Sequence, residues 1–296
     1  MRMLNPELSL NTRPVDRLAR NARVAWLAAR WQPVVRAIVS RSGRPLQEIL
    51  HGVPLGHPLH TILTDVPIGA WTATAVLDVL EVCGAESLRD GADATLAVGI
   101  AAGIGAAATG WADWSDTKDE PRTLGFLHAL LNGAAIVAYA GSLALRRAGR
   151  RRTGVAVSTL ALGVVAVGAY LGGELSLGMQ LGVKHTAEPK PPPGEFVPVL
   201  SFESIADGEA KVIDVDGLRI LLHRLGDDVR ALSGVCTHRG GPLGDDVRDG
   251  CVTCPWHGSK FRLTDGSIEA GPATFPLARY EARVAYGWIE LRRFGA

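Results

Sequence analysis

Residues 236–260 read CTHRGGPLGDDVRDGCVTCPWHGSK. The stretch holds two short pairs, Cys236-Thr-His238 and Cys254-Pro-Trp-His257, with fifteen residues between them. Each pair offers one thiolate and one imidazole. Because clustered Cys and His side chains are typical of a metal centre rather than of a disulfide framework, we predict that these four residues bind metal.

Two metal centres are compatible with these residues. The matched pairs indicate a [2Fe–2S] cluster in which the cysteines hold one iron and the histidines hold the other. A third cysteine creates a Cys251-x-x-Cys254 spacing that zinc sites also use, so the alternative is zinc held by Cys236, Cys251, Cys254 and one histidine. We favour iron because the pairs match each other and because glycines surround them.

Residues from about 195 to 293 resemble the Rieske ferredoxin family along their whole length. The resemblance rests on the two ligand pairs and on three glycine-containing segments around them, Arg239–Leu243, Gly258–Phe261 and Gly271–Ala273. It implies an all-β domain with a [2Fe–2S] cluster bound by Cys236, His238, Cys254 and His257. The residues expected to surround the cluster are Gly241, Trp256, Ser259, Phe261 and Pro272. The resemblance also implies that Cys251 is a small buried residue in a strand beneath a cluster loop.

This sequence differs at the cluster from the Rieske proteins of respiratory complexes, which belong to the same wider family. Gly241 and Trp256 occupy the places of two extra cysteines that form a disulfide there, and Phe261 replaces a tyrosine, whereas Ser259 is retained. Hydrogen bonds near the cluster stabilise its reduced state, so the loss of one predicts a low potential, as in the ferredoxin class. We expect no catalytic oxygenase domain with a two-His-one-carboxylate site.

Four apolar stretches precede this domain. Each has about 20 residues, which at about 1.5 Å per residue matches the roughly 30 Å core of a bilayer. They are Leu59–Val82, Asp93–Trp111, Leu124–Leu145 and Gly154–Gly173. A soluble domain with unusually apolar helices is the alternative, but four such stretches in succession favour membrane spans. The predicted fold class is therefore multi-domain, an α-helical membrane bundle of four spans followed by an all-β Rieske domain.

The predicted domains are a basic N-terminal region with an amphipathic helix (1–56), a four-helix transmembrane domain (57–186), a Pro-rich linker (187–194) and the Rieske domain (195–296). The first region has nine arginines and three acids, and its helix lies either on a membrane surface or against the rest of the protein. A net charge of +1 gives no support to a nucleic-acid partner, and residues 1–20 lack the apolar core of a cleavable signal peptide.

Residues from about 50 to 185 are similar to an uncharacterised bacterial family of four-span membrane domains (DUF2231-like). The resemblance rests on Gly56–Trp71, Leu127–Asn132 and Leu171–Leu175, and it implies no activity. Four histidines fall towards one membrane face, His57, His60, His128 and His185, and Asp65 and Asn132 are further polar groups at membrane depth. Because polar groups at membrane depth are costly and tend to be functional, one hypothesis is a redox or ligand site for haem, quinone or a metal. The alternative is structural, with His57 as a helix cap and His128 bonded across the bundle.

These observations predict a membrane-anchored one-electron carrier that works with an unidentified redox partner protein. Whether it belongs to an enzyme system stays open, and so does the alternative of a redox-sensing or binding protein whose helices serve only as an anchor. Arginines between residues 146 and 152 favour a cytoplasmic loop there, whereas those of residues 1–56 favour a cytoplasmic Rieske domain. We favour the second orientation, because a segment with nine arginines and no signal peptide is hard to export.

Overall fold

The computed structural model describes residues 13–184, 195–244 and 246–293. The chain forms two compact units. The helical unit contains Leu59–Leu181 and the described residues up to Arg44, and the other contains Pro45–Pro58 and the described residues from Gly182 onward. The predicted Pro-rich linker and His185 lie largely or wholly outside the described residues.

The α-helices of the described chain all precede the strands. Their bounds are α1 Pro14–Ala19, α2 Ala22–Arg41, α3 Arg44–His51, α4 Leu59–Val82, α5 Arg89–Ser115, α6 Asp119–Arg147 and α7 Arg151–Gly173. A short 3₁₀ turn precedes α5, and a π-helical turn, Glu174–Gly178, follows α7.

Helices α4 to α7 are each long and apolar enough to cross a membrane. They contain the four apolar stretches identified in the sequence, so the prediction of four membrane-capable helices is confirmed. They form two hairpins, α4 with α5 and α6 with α7. Small residues allow the close approach, since a Cβ added to Gly99 would lie 2.4 Å from Nε1 of Trp71.

Helix α2 packs on the helical unit through one face and exposes the other. The Gln32 amide is buried and donates to the carbonyl oxygens of Trp114 and Thr117 at 3.0 and 2.8 Å. Trp26 and Ile38 are 65% and 64% exposed on the other face. The sequence left open whether this helix packs on the protein, and the structure shows that it does.

Buried ion pairs lie where α4 and α6 end and α5 and α7 begin. The Arg146 guanidinium is 0% exposed and donates to Asp78 at 2.7 Å and to Asp93 at 3.1 Å. Ser158 also accepts from Arg146, at 2.9 Å. Arg151 pairs with Glu81 and Asp93. Fully satisfied charges of this kind are tolerated inside a helical bundle, and losing one partner is costly.

The second unit is an antiparallel β domain. A six-stranded sheet has the order β1-β10-β9-β4-β3-β2, and a four-stranded sheet has the order β5-β6-β7-β8. The strands are β1 Val197–Ser201, β2 Ala210–Val215, β3 Leu218–Leu225, β4 Asp228–Ser233, β5 Val247–Arg248, β6 Cys251–Thr253, β7 Lys260–Arg262, β8 Ile268–Ala270, β9 Arg279–Ala285 and β10 Trp288–Arg293. Buried residues from both sheets, including Leu232, Val252 and Phe261, form one core, so the loops after β4 and β6 rest on a rigid base.

Candidate metal centre

The first candidate loop follows β4. The backbone N–H of Cys236 donates to the carbonyl oxygen of Gly241 at 2.8 Å, and the N–H of Gly240 donates to that of Cys236 at 3.0 Å. Gly240 has a φ of +69°, in the left-handed region that favours glycine. The turn therefore folds back within five residues and holds Cys236 and His238 on one loop.

The second loop, after β6, repeats this construction. The N–H of Cys254 donates to the carbonyl oxygen of Ser259 at 2.8 Å, and the N–H of Gly258 donates to that of Cys254 at 3.0 Å. Gly258 has a φ of +77°. The two loops thus present a cysteine and a histidine in closely similar ways, as the matched sequence pairs predicted.

The two cysteines face each other in the interior. Cys236 is 1% exposed and Cys254 is 2% exposed. A hydrogen bond from the Cys236 thiol lowers the pKa of Cys254 to about 6, where the backbone N–H groups of Trp256 and His257 add to the effect. The shared proton raises the pKa of Cys236, and burial raises it further. This environment favours a thiolate at Cys254, the form that binds metal.

The two histidines form a second pair nearer the surface. The ring centroids of His238 and His257 lie 5.0 Å apart and the rings are almost perpendicular. Both side chains are half-buried, in contrast to the cysteines. Trp256 is 50% exposed beside His257 and continues this surface.

The four side chains fit a two-iron cluster better than a single ion. They form a buried sulfur pair and an imidazole pair nearer the surface, so each pair is placed to hold one iron. A Cβ added to Gly241 would lie 3.0 Å from Sγ of Cys254, so a glycine is needed where the loops meet. Soft thiolates with imidazoles are the donors that iron–sulfur centres use.

The other residues expected around the cluster lie beside these loops. Ser259 is fully buried, and its hydroxyl accepts a hydrogen bond from the N–H of Ala273 at 3.0 Å. This contact ties the second loop to the segment that contains Pro272. Phe261 is fully buried in the core beneath the loops.

The expectation for Cys251 is wrong in one respect. Cys251 lies in a strand, β6, but it is half-buried and its neighbour Val252 is the residue that enters the core. Side chains alternate along a strand, so Cys251 faces away from the core that contains Cys254. Burial and the charge of Glu269 raise the pKa of its thiol. This environment offers no support to the zinc alternative.

Three of the six polar residues of the hypothetical membrane site lie together in the helical unit. His60 and His128 come together, with ring centroids 6.2 Å apart. Asn132 donates to the backbone oxygen of His128 at 2.8 Å. Asp65 is exposed and lies about 140° around α4 from His60, so the structure does not bring it to this pair.

His57 belongs to the β unit. Its ring makes an edge contact with Phe275 at 5.6 Å between centroids. In the same unit, a Cβ added to Gly271 would lie 2.4 Å from Val53, so residues just before His57 pack closely on the segment that follows the second loop. His185, the sixth residue, lies outside the described residues.

Comparison with known families assigns both halves of the chain. Residues 195–281 match the Rieske [2Fe–2S] domain, and residues 56–185 match a predicted membrane protein family, DUF2231. Both resemblances noted in the sequence are thereby confirmed.

Curated relatives match the β unit. The cytochrome b6-f complex iron-sulfur subunit of Chlorobaculum thiosulfatiphilum is 35% identical over 80 residues, which are 27% of this chain and 44% of that protein. Ferredoxin CarAc of Metapseudomonas resinovorans is 32% identical over 80 residues, 27% of this chain and 75% of that protein. This chain spans less than half the length of the first curated relatives that it matches.

Solved structures that resemble part of this chain include the ferredoxin of carbazole 1,9a-dioxygenase from Nocardioides aromaticivorans IC177. That protein is 27% identical, and the match covers 33% of this chain and 98% of that one with a TM-score of 0.31.

Proposed function

Since the chain belongs to the Rieske [2Fe–2S] family through its C-terminal domain and carries a DUF2231 membrane domain, we propose that it is a membrane-anchored one-electron carrier. The observation that carries this proposal is the pairing of a buried Cys236–Cys254 couple with a half-buried His238–His257 couple on two matched loops.

Each ligand has a distinct role in the proposed centre. Cys236 and Cys254 hold the inner iron as thiolates, which the backbone N–H groups around them stabilise. His238 and His257 hold the outer iron and stand between it and the surface, where a partner protein docks. When bound, a [2Fe–2S] cluster supplies a couple that takes up and releases one electron.

The proposed partners are the membrane and a redox protein that the sequence does not identify. We place the Rieske domain on the cytoplasmic side. Arginines at the loop between α6 and α7 oppose this orientation. Two of them, Arg146 and Arg151, form ion pairs with acidic residues, so their charges are neutralised within the protein. Labelling of Cys251 by an impermeant thiol reagent only after cell lysis would support this side, and labelling in intact cells would contradict it.

The potential is expected to be low for a Rieske centre. Phe261 lies fully buried against the cluster loops and has no hydroxyl, so the midpoint is expected in the lower part of the range of about −150 to +300 mV. Phe261→Tyr is expected to raise the midpoint by about 60 mV, if the added hydroxyl favours the reduced state tenfold. Phe202→Tyr, in the other core of the β unit, is the control and should leave it unchanged. A wild-type midpoint near the upper end of the range would contradict the assignment.

A carrier and a sensor differ in how fast the cluster is reduced and reoxidised during electron flow. In membranes supplied with respiratory substrate, a carrier's cluster is reduced and reoxidised as fast as electrons flow, and its removal slows that flow. A sensor's cluster follows the ambient potential and its removal leaves the flow unchanged. Rapid-freeze EPR of such membranes with and without the protein distinguishes the two, and cluster cycling that lags far behind electron flow would overturn the proposal.

A further inference from the structure

Three pairs of side chains link α4 to α6, and in each pair the partners are 68 residues apart. They are His60 with His128, Trp71 with Tyr139, and Asp78 with Arg146. The aromatic rings stack at 4.3 Å between centroids, and the charged pair is buried. Equal spacing along two helices means that α4 and α6 run in the same direction and in register, as a repeat of 68 residues.

The two histidines occupy equivalent positions in this repeat. Nδ1 of His60 hydrogen-bonds the carbonyl oxygen of Ala106 in α5 at 2.8 Å, and Nδ1 of His128 hydrogen-bonds that of Gly168 in α7, also at 2.8 Å. Four residues beyond each carbonyl is a glycine whose added Cβ would lie 2.8 Å (Gly110) or 3.0 Å (Gly172) from the ring. Each hairpin therefore holds one imidazole in the same way.

This arrangement prepares both rings to bind a metal through Nε2, which in His128 would exchange its contact with the Asn132 amide, 3.3 Å away, for the metal. A carbonyl oxygen accepts only from a protonated Nδ1, which leaves the lone pair on Nε2, and ligating histidines are commonly fixed by such bonds. An imidazole nitrogen binds a metal at about 2.0 Å, so a metal midway between two rings separates their centroids by roughly 6 Å. The observed separation is 6.2 Å.

Two histidines are the protein ligands that a six-coordinate haem needs. In the described part of the chain no third Cys, His, Asp or Glu joins the two histidines. Haem takes two axial imidazoles and needs no further protein ligand, because the porphyrin supplies the other four nitrogens.

We propose that His60 and His128 are the axial ligands of a b-type haem bound between the two hairpins. The site goes beyond the proposed function, since it rests on residues of the helical unit alone. It gives that unit a one-electron centre of its own, where otherwise the helices serve only to anchor the β domain.

The test is the haem content and spectrum of the purified full-length protein, produced in haem-sufficient cells and then incubated with hemin. We expect one haem per chain by the pyridine haemochromogen method, with the spectrum of low-spin bis-histidine haem. His60→Ala and His128→Ala are expected to lose the haem, and His57→Ala is the matched control that keeps it. His60→Met and His128→Met retain a ligand, and we expect each to bind haem with a changed spectrum, which a purely structural histidine would not produce.

The results that would overturn this proposal are distinct from those that concern the cluster. Absence of haem after hemin incubation, in a sample whose iron–sulfur spectrum is present, would refute the haem site and leave the carrier proposal intact. Copper or quinone in place of haem would refute it equally, as would unchanged haem spectra in both methionine variants. Haem without an iron–sulfur cluster would instead refute the proposed function and leave this site standing.

Discussion

Cys254→Ala is expected to abolish the iron–sulfur cluster, whereas Cys251→Ala is expected to leave its absorption and EPR spectra unchanged. Cys254 is 2% exposed and faces Cys236, so its loss removes one of two thiolates from the inner iron. Cys251 is half-buried in β6 and faces away from the core that contains Cys254. The measurement is iron and acid-labile sulfide per chain in both variants after anaerobic purification.

The two variants are matched because both remove a sulfur atom from the same short segment. His257→Ala belongs with Cys254→Ala and should also lose the cluster, while His223→Ala, in strand β3, should keep it. Loss of metal in Cys251→Ala, with zinc in the wild type, would show that the zinc alternative is correct.

Arg146→Ala is expected to destabilise the helical unit by about 3–5 kcal/mol, since it leaves the buried Asp78 carboxylate without its cation. Arg146 is 0% exposed and bonds Asp78, Asp93 and Ser158. The measurement is the free energy of unfolding in detergent or lipid. Arg147→Ala changes the next residue, which is exposed, and is expected to stay within about 0.5 kcal/mol of wild type.

A double variant tests whether the two charges stabilise the protein as a pair. Asp78→Leu with Arg146→Leu removes both charges, and replacing a whole buried ion pair with apolar residues is often neutral. We therefore expect the double variant to be more stable than Arg146→Ala alone. If the double variant lost as much free energy of unfolding as Asp78→Leu and Arg146→Leu lose when added together, the two residues would not act as a pair.

The cluster ligands and the four membrane-capable helices could be predicted from sequence because their signals are local. The matched Cys-x-His and Cys-x-x-His pairs indicate the metal ligands directly. The length of each apolar segment, which predicts a membrane span, follows from hydropathy. The burial of Cys251 could not be predicted in this way. Which face of a three-residue strand enters the core depends on pairing with β7, which lies further along the chain.

The positions of the polar residues along α4 have a geometric explanation. At about 100° per residue, Asp65 lies about 140° around α4 from His60 and therefore on another face of the helix. Asp78 follows His60 by 18 residues, which is five whole turns, so the two share a face. His60, Trp71 and Asp78 each contact a residue of α6 that lies 68 positions further along the chain. The sequence shows the same spacing in a repeated dipeptide, Leu59-His60 and Leu127-His128. That signal becomes informative only when the pairs are seen to touch.

The most direct test of the account is pulsed EPR of the reduced full-length protein, with and without ¹⁵N-labelled histidine. We predict two directly coordinated histidine nitrogens on one [2Fe–2S] cluster per chain, both lost with the cluster in Cys254→Ala. A cluster without histidine nitrogens, or zinc in place of iron after anaerobic preparation, would contradict the assignment of Cys236, His238, Cys254 and His257 as its ligands.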